Sequence, residues 1–262
     1  MPEVTGPYAP GTPCWVDLMA PDQRAALDFY GDLFGWQGEP GPPETGGYAV
    51  CTLGGRAVAG IGPSMAPDGH PAPPIAWTTY LAVPDADVAV RAITDNRGQV
   101  VMPAMEVLTF GRMAVVADPT EAVFGLWEAR DFAGAEVVNE PGAVIWNELS
   151  TADPEAAKRF YPAALGIAVT PMENAPGYHA LKVGEQVVGG MQGLENLPEG
   201  TPSHWLVYFA VDDADSVTDA VVRAGGTVLK APFDMMAGRM AVLRDPQGGI
   251  FAVINAGAPE AA

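Results

Sequence analysis

The sequence predicts an α+β fold built as two tandem copies of one domain, and three observations carry this. First, Trp15 and Trp146, Asp22 and Asp153, and Phe29 and Phe160 are each separated by 131 residues. Second, residues 111–115 and 238–242 are the same run, Gly-Arg-Met-Ala-Val, 127 residues apart, and an Asp-Pro pair (Asp118, Asp245) follows each at the same distance. Third, each copy reads as short alternating apolar runs interrupted twice by amphipathic stretches that begin at an Asp. A repeat this long is a duplicated domain with a few loop deletions, not a solenoid. The expected boundaries are 12–129 and 142–256, joined by a linker over 130–141.

Each element follows from local chemistry. Residues 14–19 alternate as a strand. Asp22 is an N-cap, and Ala26, Phe29, Tyr30 and Leu33 space the apolar face of a helix that Gly35 ends. Residues 48–53 and 57–61 flank Gly54-Gly55 as a hairpin. A strand over 78–83 leads to Asp85, which caps a second helix. Strands over 100–105, 113–117 and 123–128 complete the copy. The second copy repeats the order, with Asp153-Pro154 opening its first helix. Its strands fall at 178–183, 187–191, 205–211, 227–229, 239–243 and 250–254. A helix after Asp213 ends at Gly225-Gly226. Each copy thus holds two βαβββ modules, whose helices are expected to cover half of each curved sheet.

Composition narrows the function. The 262 residues carry 32 acidic and 13 basic side chains, a formal charge of −19. Nucleic acids and anionic membranes want a basic patch, so neither is expected as a partner. No run approaches the ~20 apolar residues of a membrane span, and the first residues lack the pattern of a signal peptide, so a cytoplasmic protein is expected. Cys14 and Cys51 lie in no metal-type cluster and read as buried thiols of a reducing compartment.

The Asp-capped helices carrying Phe29-Tyr30 and Phe160-Tyr161 before a Gly, with the late Gly-Arg and Asp-Pro runs, resemble the vicinal oxygen chelate superfamily. This group includes glyoxalase I, bleomycin-resistance proteins and extradiol dioxygenases. The likeness spans both copies and resembles the two-domain members of antibiotic biosynthetic clusters. It implies a concave sheet with a ligand cavity in each copy. Metal-dependent members place a ligand on the first, middle and last strands. Counted from the capping Asp, those positions hold Trp15, Thr78 and Gly125, then Trp146, Leu206 and Ala252. None is a good ligand. His70, His179 and His204 supply no alternative set. No metal and no cofactor is expected.

Strand alternation then lines the cavities. Asp17, Met19, Tyr80 and Trp127 share a face with Trp15. Glu148, Ser150, Leu206 and Tyr208 share one with Trp146. The tryptophans either line a cavity or plug it, and the tyrosines either meet a ligand or bond to backbone. Asp17 and Glu148 are either surface charges or carboxylates needing a partner or a raised pKa. Arg112 and Arg239 are expected to pair with acidic side chains. Glu148 or Asp17 is the expected acid/base, with Tyr208, Tyr80 or His204 orienting a ligand oxygen, and the Glu148 cavity is slightly preferred. The expected function is metal-independent binding of a flat, polyoxygenated molecule of the aromatic polyketide kind, in or beside a tailoring step of its biosynthesis. An antibiotic-sequestering protein is the alternative, and a metal-dependent glyoxalase or dioxygenase the second. A monomer whose copies form an internal pseudo-dimer, or a weak homodimer, is expected.

Overall fold

A computed structural model of the chain describes residues 4, 6–64 and 74–257. His70 lies outside the described residues. Copy 1 runs β1 (Pro13–Ala20), α1 (Gln23–Phe34), β2 (Ala49–Leu53), β3 (Arg56–Pro63), β4 (Trp77–Ala82), α2 (Ala86–Asp95), β5 (Gln99–Val107), β6 (Gly111–Ala117) and β7 (Val123–Ala129). Copy 2 runs β8 (Val144–Thr151), α3 (Pro154–Leu165), β9 (Ala168–Pro171), β10 (His179–Val183), β11 (Gln186–Gly193), β12 (His204–Ala210), α4 (Ala214–Arg223), β13 (Thr227–Met235), β14 (Gly238–Arg244) and β15 (Ile250–Asn255). Each copy makes one mixed sheet, ordered β2-β3-β1-β4-β7-β6-β5 and β13-β14-β15-β12-β8-β11-β10-β9. Its two modules join edge to edge through antiparallel β1–β4 and β8–β12.

The four capping aspartates behave as expected. Asp22, Asp85, Asp153 and Asp213 each accept a hydrogen bond from a first-turn amide. One feature escaped the sequence reading. β9 is an extra edge strand, represented in copy 1 by a single bridge between Gln37 and Thr52. β5 continues through Pro103, because a register shift between Met102 and Met105 removes the demand for its missing amide. No helix among the described residues is long and apolar enough to cross a membrane.

Alternation divides each sheet into two faces. Val16 and Leu18 point to the helical side and Trp15 and Asp17 to the other. The helical sides of the two sheets face each other, so every helix serves both copies. Phe29, Tyr30 and Phe34 of α1 pack on Val16, Leu18 and Val58 of their own sheet and on Phe209, Phe251 and Val253 of copy 2. Phe160 and Tyr161 of α3 pack with Ile93, Phe124 and Leu126 of copy 1. Each fully buried large apolar side chain contributes roughly 1.5–3 kcal/mol.

Two buried polar clasps tie this seam. The Tyr30 hydroxyl donates to Asp245 Oδ2 at 2.8 Å and accepts from Trp77 Nε1 at 3.0 Å. Reciprocally, Tyr161 donates to Asp118 Oδ2 at 3.0 Å and accepts from Trp205 Nε1 at 3.3 Å. The other oxygen of each aspartate holds its own loop. Asp118 Oδ1 accepts from the Thr120 and Ala122 amides, and Asp245 Oδ1 from those of residues 247–249. The repeated Phe-Tyr and Asp-Pro pairs are therefore the two halves of one inter-copy contact.

Tyr161→Phe removes one donor from a fully buried carboxylate and is expected to cost about 1–3 kcal/mol in urea denaturation. Asp118→Ala strands several buried donors and is expected to cost more. Both copies are expected to unfold in one transition. Separate transitions for the two copies in the wild type would refute the clasp as a coupling element.

Candidate functional site

The outward face of each sheet carries the same four-residue cluster. In copy 1, β1 and β4 lie antiparallel with Trp15 opposite Tyr80 and Asp17 opposite Thr78. This register brings the Tyr80 hydroxyl to Asp17 Oδ2 at 3.0 Å. A second hydroxyl, from Tyr48 at the entry to β2, donates to the same oxygen at 3.2 Å. Trp15 Nε1 donates to Tyr48 at 2.8 Å and so orients it. In copy 2, Tyr208 donates to Glu148 Oε1 at 3.0 Å, Tyr178 to Oε2 at 2.7 Å, and Trp146 Nε1 to the Tyr178 hydroxyl at 3.0 Å.

Sequence reasoning placed Trp15, Asp17 and Tyr80, and Trp146, Glu148 and Tyr208, on these faces, and the structure brings each trio together. It missed Tyr48 and Tyr178. The signal was available: both follow a Gly, both open a hairpin strand, and they are 130 residues apart. Gly60 and Gly190, at the same offset, lie beneath the two rings, where any Cβ would collide with the tyrosine hydroxyl. The tyrosines bond to carboxylates, not to backbone.

Both carboxylates are buried, Asp17 to 3% exposure and Glu148 to 5%. Burial pushes Asp17 up to about 7, with the hydroxyls of Tyr80, Tyr48 and Thr78 partly offsetting it. Burial also raises Glu148, opposed by Tyr178, Tyr208, Gln192 and the nearby His204. The copies differ in what meets the remaining lone pairs. Gln192 Nε2 donates to Glu148 Oε1 at 2.7 Å. Asp17 Oδ1 finds no hydrogen-bond partner among the described residues.

The other expected site residues fall into place around these clusters. Trp127 packs beside Trp15 and Tyr80. Met19 is half-buried at the far end of β1. Ser150 is buried, and Leu206 packs with Tyr208. His204 lies opposite Ser150 across the β8–β12 pair, but its Nδ1 lies 2.9 Å from the Pro202 carbonyl oxygen instead of reaching Glu148. Arg112 pairs with Asp87 at 2.8 Å and Glu106 at 3.1 Å, and Arg239 pairs with Asp215 and Asp234. Both arginines therefore brace late strands, as expected. Cys14 and Cys51 are buried free thiols.

The residues between the copies do more than connect them. Phe132 packs edge-on against Trp15, with centroids 4.9 Å apart, and its carbonyl accepts from Trp127 Nε1 at 2.9 Å. Tyr8 fixes the segment by donating to the Ala135 carbonyl at 2.7 Å. The Trp15 end of the copy 1 face is therefore filled with aromatic rings, whereas Trp146 remains half-buried. A cleft of about 260 Å³ lies elsewhere, between Asp28, Phe29 and Asp32 of α1 and Gln247.

The positions that would hold the superfamily's metal do not fit one. Trp15, Tyr80 and Gly125 are neighbours across β1, β4 and β7, and Trp146, Tyr208 and Ala252 across β8, β12 and β15; Thr78 and Leu206, the middle-strand positions counted along the sequence, lie two residues away, opposite Asp17 and Glu148. The Tyr80 ring lies over Gly125, where a longer ligand side chain would have to stand. No group of three His, Cys, Asp or Glu side chains suited to a metal occurs among the described residues.

Comparison with known proteins places these features in a family. Residues 14–152 match the Glyoxalase/Bleomycin resistance protein/Dioxygenase superfamily, and residues 145–254 match a Glyoxalase-like domain. CFP32 of Mycobacterium tuberculosis, a glyoxylase by designation, is 48% identical over 95% of this chain and 96% of its own. The anthracycline biosynthesis protein DnrV of Streptomyces peucetius is 40% identical over 95% of this chain and 94% of its own. Among solved structures, the Mn(II)-bound glyoxalase of Novosphingobium aromaticivorans superposes with a TM-score of 0.63 at 15% identity, over 95% of this chain and 83% of that one. At that identity it speaks for the fold alone.

A carboxyl held neutral by burial makes the folded state bind a proton that the unfolded chain has released. Stability contributed by Asp17 is therefore complete below the ordinary aspartate pKa near 4. It declines as pH rises and is gone above about 7. Relative to Asp17→Asn, the wild type is expected to lose up to about 4 kcal/mol between pH 4 and 7. Urea denaturation at several pH values checks this, and parallel pH profiles for the two proteins would refute it.

Proposed function

Because the chain belongs to the glyoxalase/bleomycin resistance protein/dioxygenase superfamily, we propose that it keeps the superfamily's ligand face but works without a metal. It binds a flat, polyoxygenated aromatic molecule and acts in, or assists, a tailoring step on it. The observation that carries this reading is the duplicated Trp–Tyr–carboxylate–Tyr cluster beside the positions where a metal ligand would stand. A buried carboxylate ringed by phenols can take a proton from a ligand hydroxyl or return one; burial raises both carboxyls, Asp17 to about 7, which suits both directions. Tyrosine and tryptophan rings suit a planar aromatic partner. Similarity to proteins of anthracycline biosynthesis supports this ligand class. The chain acts as a monomer in which the two copies stand for two subunits. Its proposed compartment is the cytoplasm, in keeping with two buried free thiols.

An anthracycline aglycone titrated into the purified protein is expected to bind at micromolar concentration, equally well with and without EDTA. Asp17→Asn combined with Glu148→Gln is expected to weaken it at least tenfold. Binding that vanishes with EDTA and returns with a divalent ion would overturn metal independence. If the double variant changes no turnover and alters affinity alone, the chain is a sequestering protein instead of an enzyme.

A further inference from the structure

The two copies differ at one structurally defined place. Asp17 pairs in register with Gly60, and Met19 with Gly62. Glu148 pairs with Gly190, and Ser150 with Gln192. Gly62 and Met19 therefore occupy the positions that Gln192 and Ser150 hold in copy 2. Gln192 reaches across to give Glu148 Oε1 a second donor. Gly62 has no side chain to do this, and Asp17 Oδ1 is left without a partner among the described residues. What lies over Gly62 is the Met19 thioether: a Cβ added at Gly62 would stand 2.7 Å from its sulfur and 3.1 Å from the Tyr48 ring.

An unsatisfied carboxylate oxygen in the interior has lost its water without gaining a donor, which costs stability. Copy 2 avoids that cost with an amide of its own; in copy 1 the Thr78 hydroxyl lies opposite Asp17 and lowers its pKa, but Oδ1 makes no hydrogen bond. We propose that copy 1 is the ligand-accepting half, and that Gln192 permanently occupies in copy 2 the place a ligand hydroxyl takes in copy 1. Asp17 Oδ1 accepts that hydroxyl. The Met19 thioether, half-buried over Gly62, is the flexible side chain that moves to open that place to a ligand. Phe132 closes the Trp15 end of the same face, so the ligand enters past Met19. In copy 2 three donors already meet Glu148, and a ligand donor would have to displace one of them. The recognised chemistry is a phenolic or enolic hydroxyl on a planar ring system. The inference rests on the proposed function and specifies which site performs it.

The test transplants the copy 2 solution into copy 1. Met19→Ser with Gly62→Gln rebuilds the Ser150–Gln192 pair beside Asp17, and replacing Met19 removes the sulfur that a side chain at residue 62 would strike. The probes are 1,8-dihydroxyanthraquinone and its dimethoxy analogue, which lacks the donor, each titrated by calorimetry. The wild type is expected to bind one dihydroxy molecule per chain and the dimethoxy analogue at least tenfold more weakly. The double variant is expected to lose binding at least tenfold, whereas Gln192→Ala in copy 2 leaves the first site unchanged. In the double variant the Asp17 carboxyl, followed by carbon NMR, is expected to titrate at lower pH than in the wild type, because it has gained a donor. Wild-type affinity retained by the double variant, with that titration lowered, would overturn the assignment to copy 1 while leaving the proposed function standing. No binding of either anthraquinone to the wild type or to Gln192→Ala would overturn the ligand class, and with it this inference.

Discussion

The structure depends on the reciprocal clasp between Tyr30 and Asp245 and between Tyr161 and Asp118. A helix amphipathic on one face would ordinarily bury that face on its own sheet and stop there. Here each first-module helix carries a tyrosine beyond what its own sheet needs, and the hydroxyl finds its carboxylate in the other copy. Such a polar group is tolerable in a core only because each partner is satisfied. The tyrosine has an indole donor and a carboxylate acceptor, and the carboxylate has its own loop amides. The aromatic cluster around Tyr30, Trp36, Trp77 and Phe209 then excludes water from the seam. The helical sides of the sheets are thereby largely consumed by the seam, and the paired carboxylate clusters stand on the opposite faces.

That constraint shapes the candidate site. With one face committed, the strand period of two sends Trp15 and Asp17, or Trp146 and Glu148, to the other. The antiparallel register across β1–β4 and β8–β12 sets a tyrosine beside each carboxylate. Glycine at 60 and 190 lets a second tyrosine lie flat over the strand and approach from the other side. Duplication preserved this polar cluster while the surroundings diverged. Copy 1 has a ring plug in Phe132 and no donor at Gly62. Copy 2 has a donor in Gln192 and a half-buried tryptophan. A duplicated domain can hold one copy as a fully bonded structural unit while the other keeps an unmet hydrogen-bonding demand that a ligand can fill.

Much of the architecture was legible because its signals are local or periodic. The aspartate caps, the glycine stops and the 131-residue offset needed no tertiary knowledge. That Trp15 and Asp17, and Trp146 and Glu148, share one face of their strands followed from alternation alone. Tyr48 and Tyr178 were not found, although they repeat at the right offset. The sequence reading makes each the first residue of a strand, whereas the structure sets each just before β2 or β10, where alternation no longer assigns a direction. The role of residues 130–141 was hidden for the same reason. A proline- and glycine-bearing stretch reads as a linker until Phe132 is seen against Trp15.

By itself the sequence determined the duplicated α+β fold, the order of its modules, and which residues share a face with Trp15 and Trp146. Those properties follow from periodicity, capping and repetition, which act over a few residues or copy a whole domain. Tertiary structure alone decided which side chains meet across strands and across copies. It paired Tyr30 with Asp245, brought two hydroxyls to each carboxylate, and distinguished Asp17 from Glu148. These are contacts between residues 30 to 215 positions apart, set by register and by the meeting of two sheets. No local pattern encodes whether a buried oxygen finds its last donor. That depends on whether the residue on the neighbouring strand is Gln192 or Gly62.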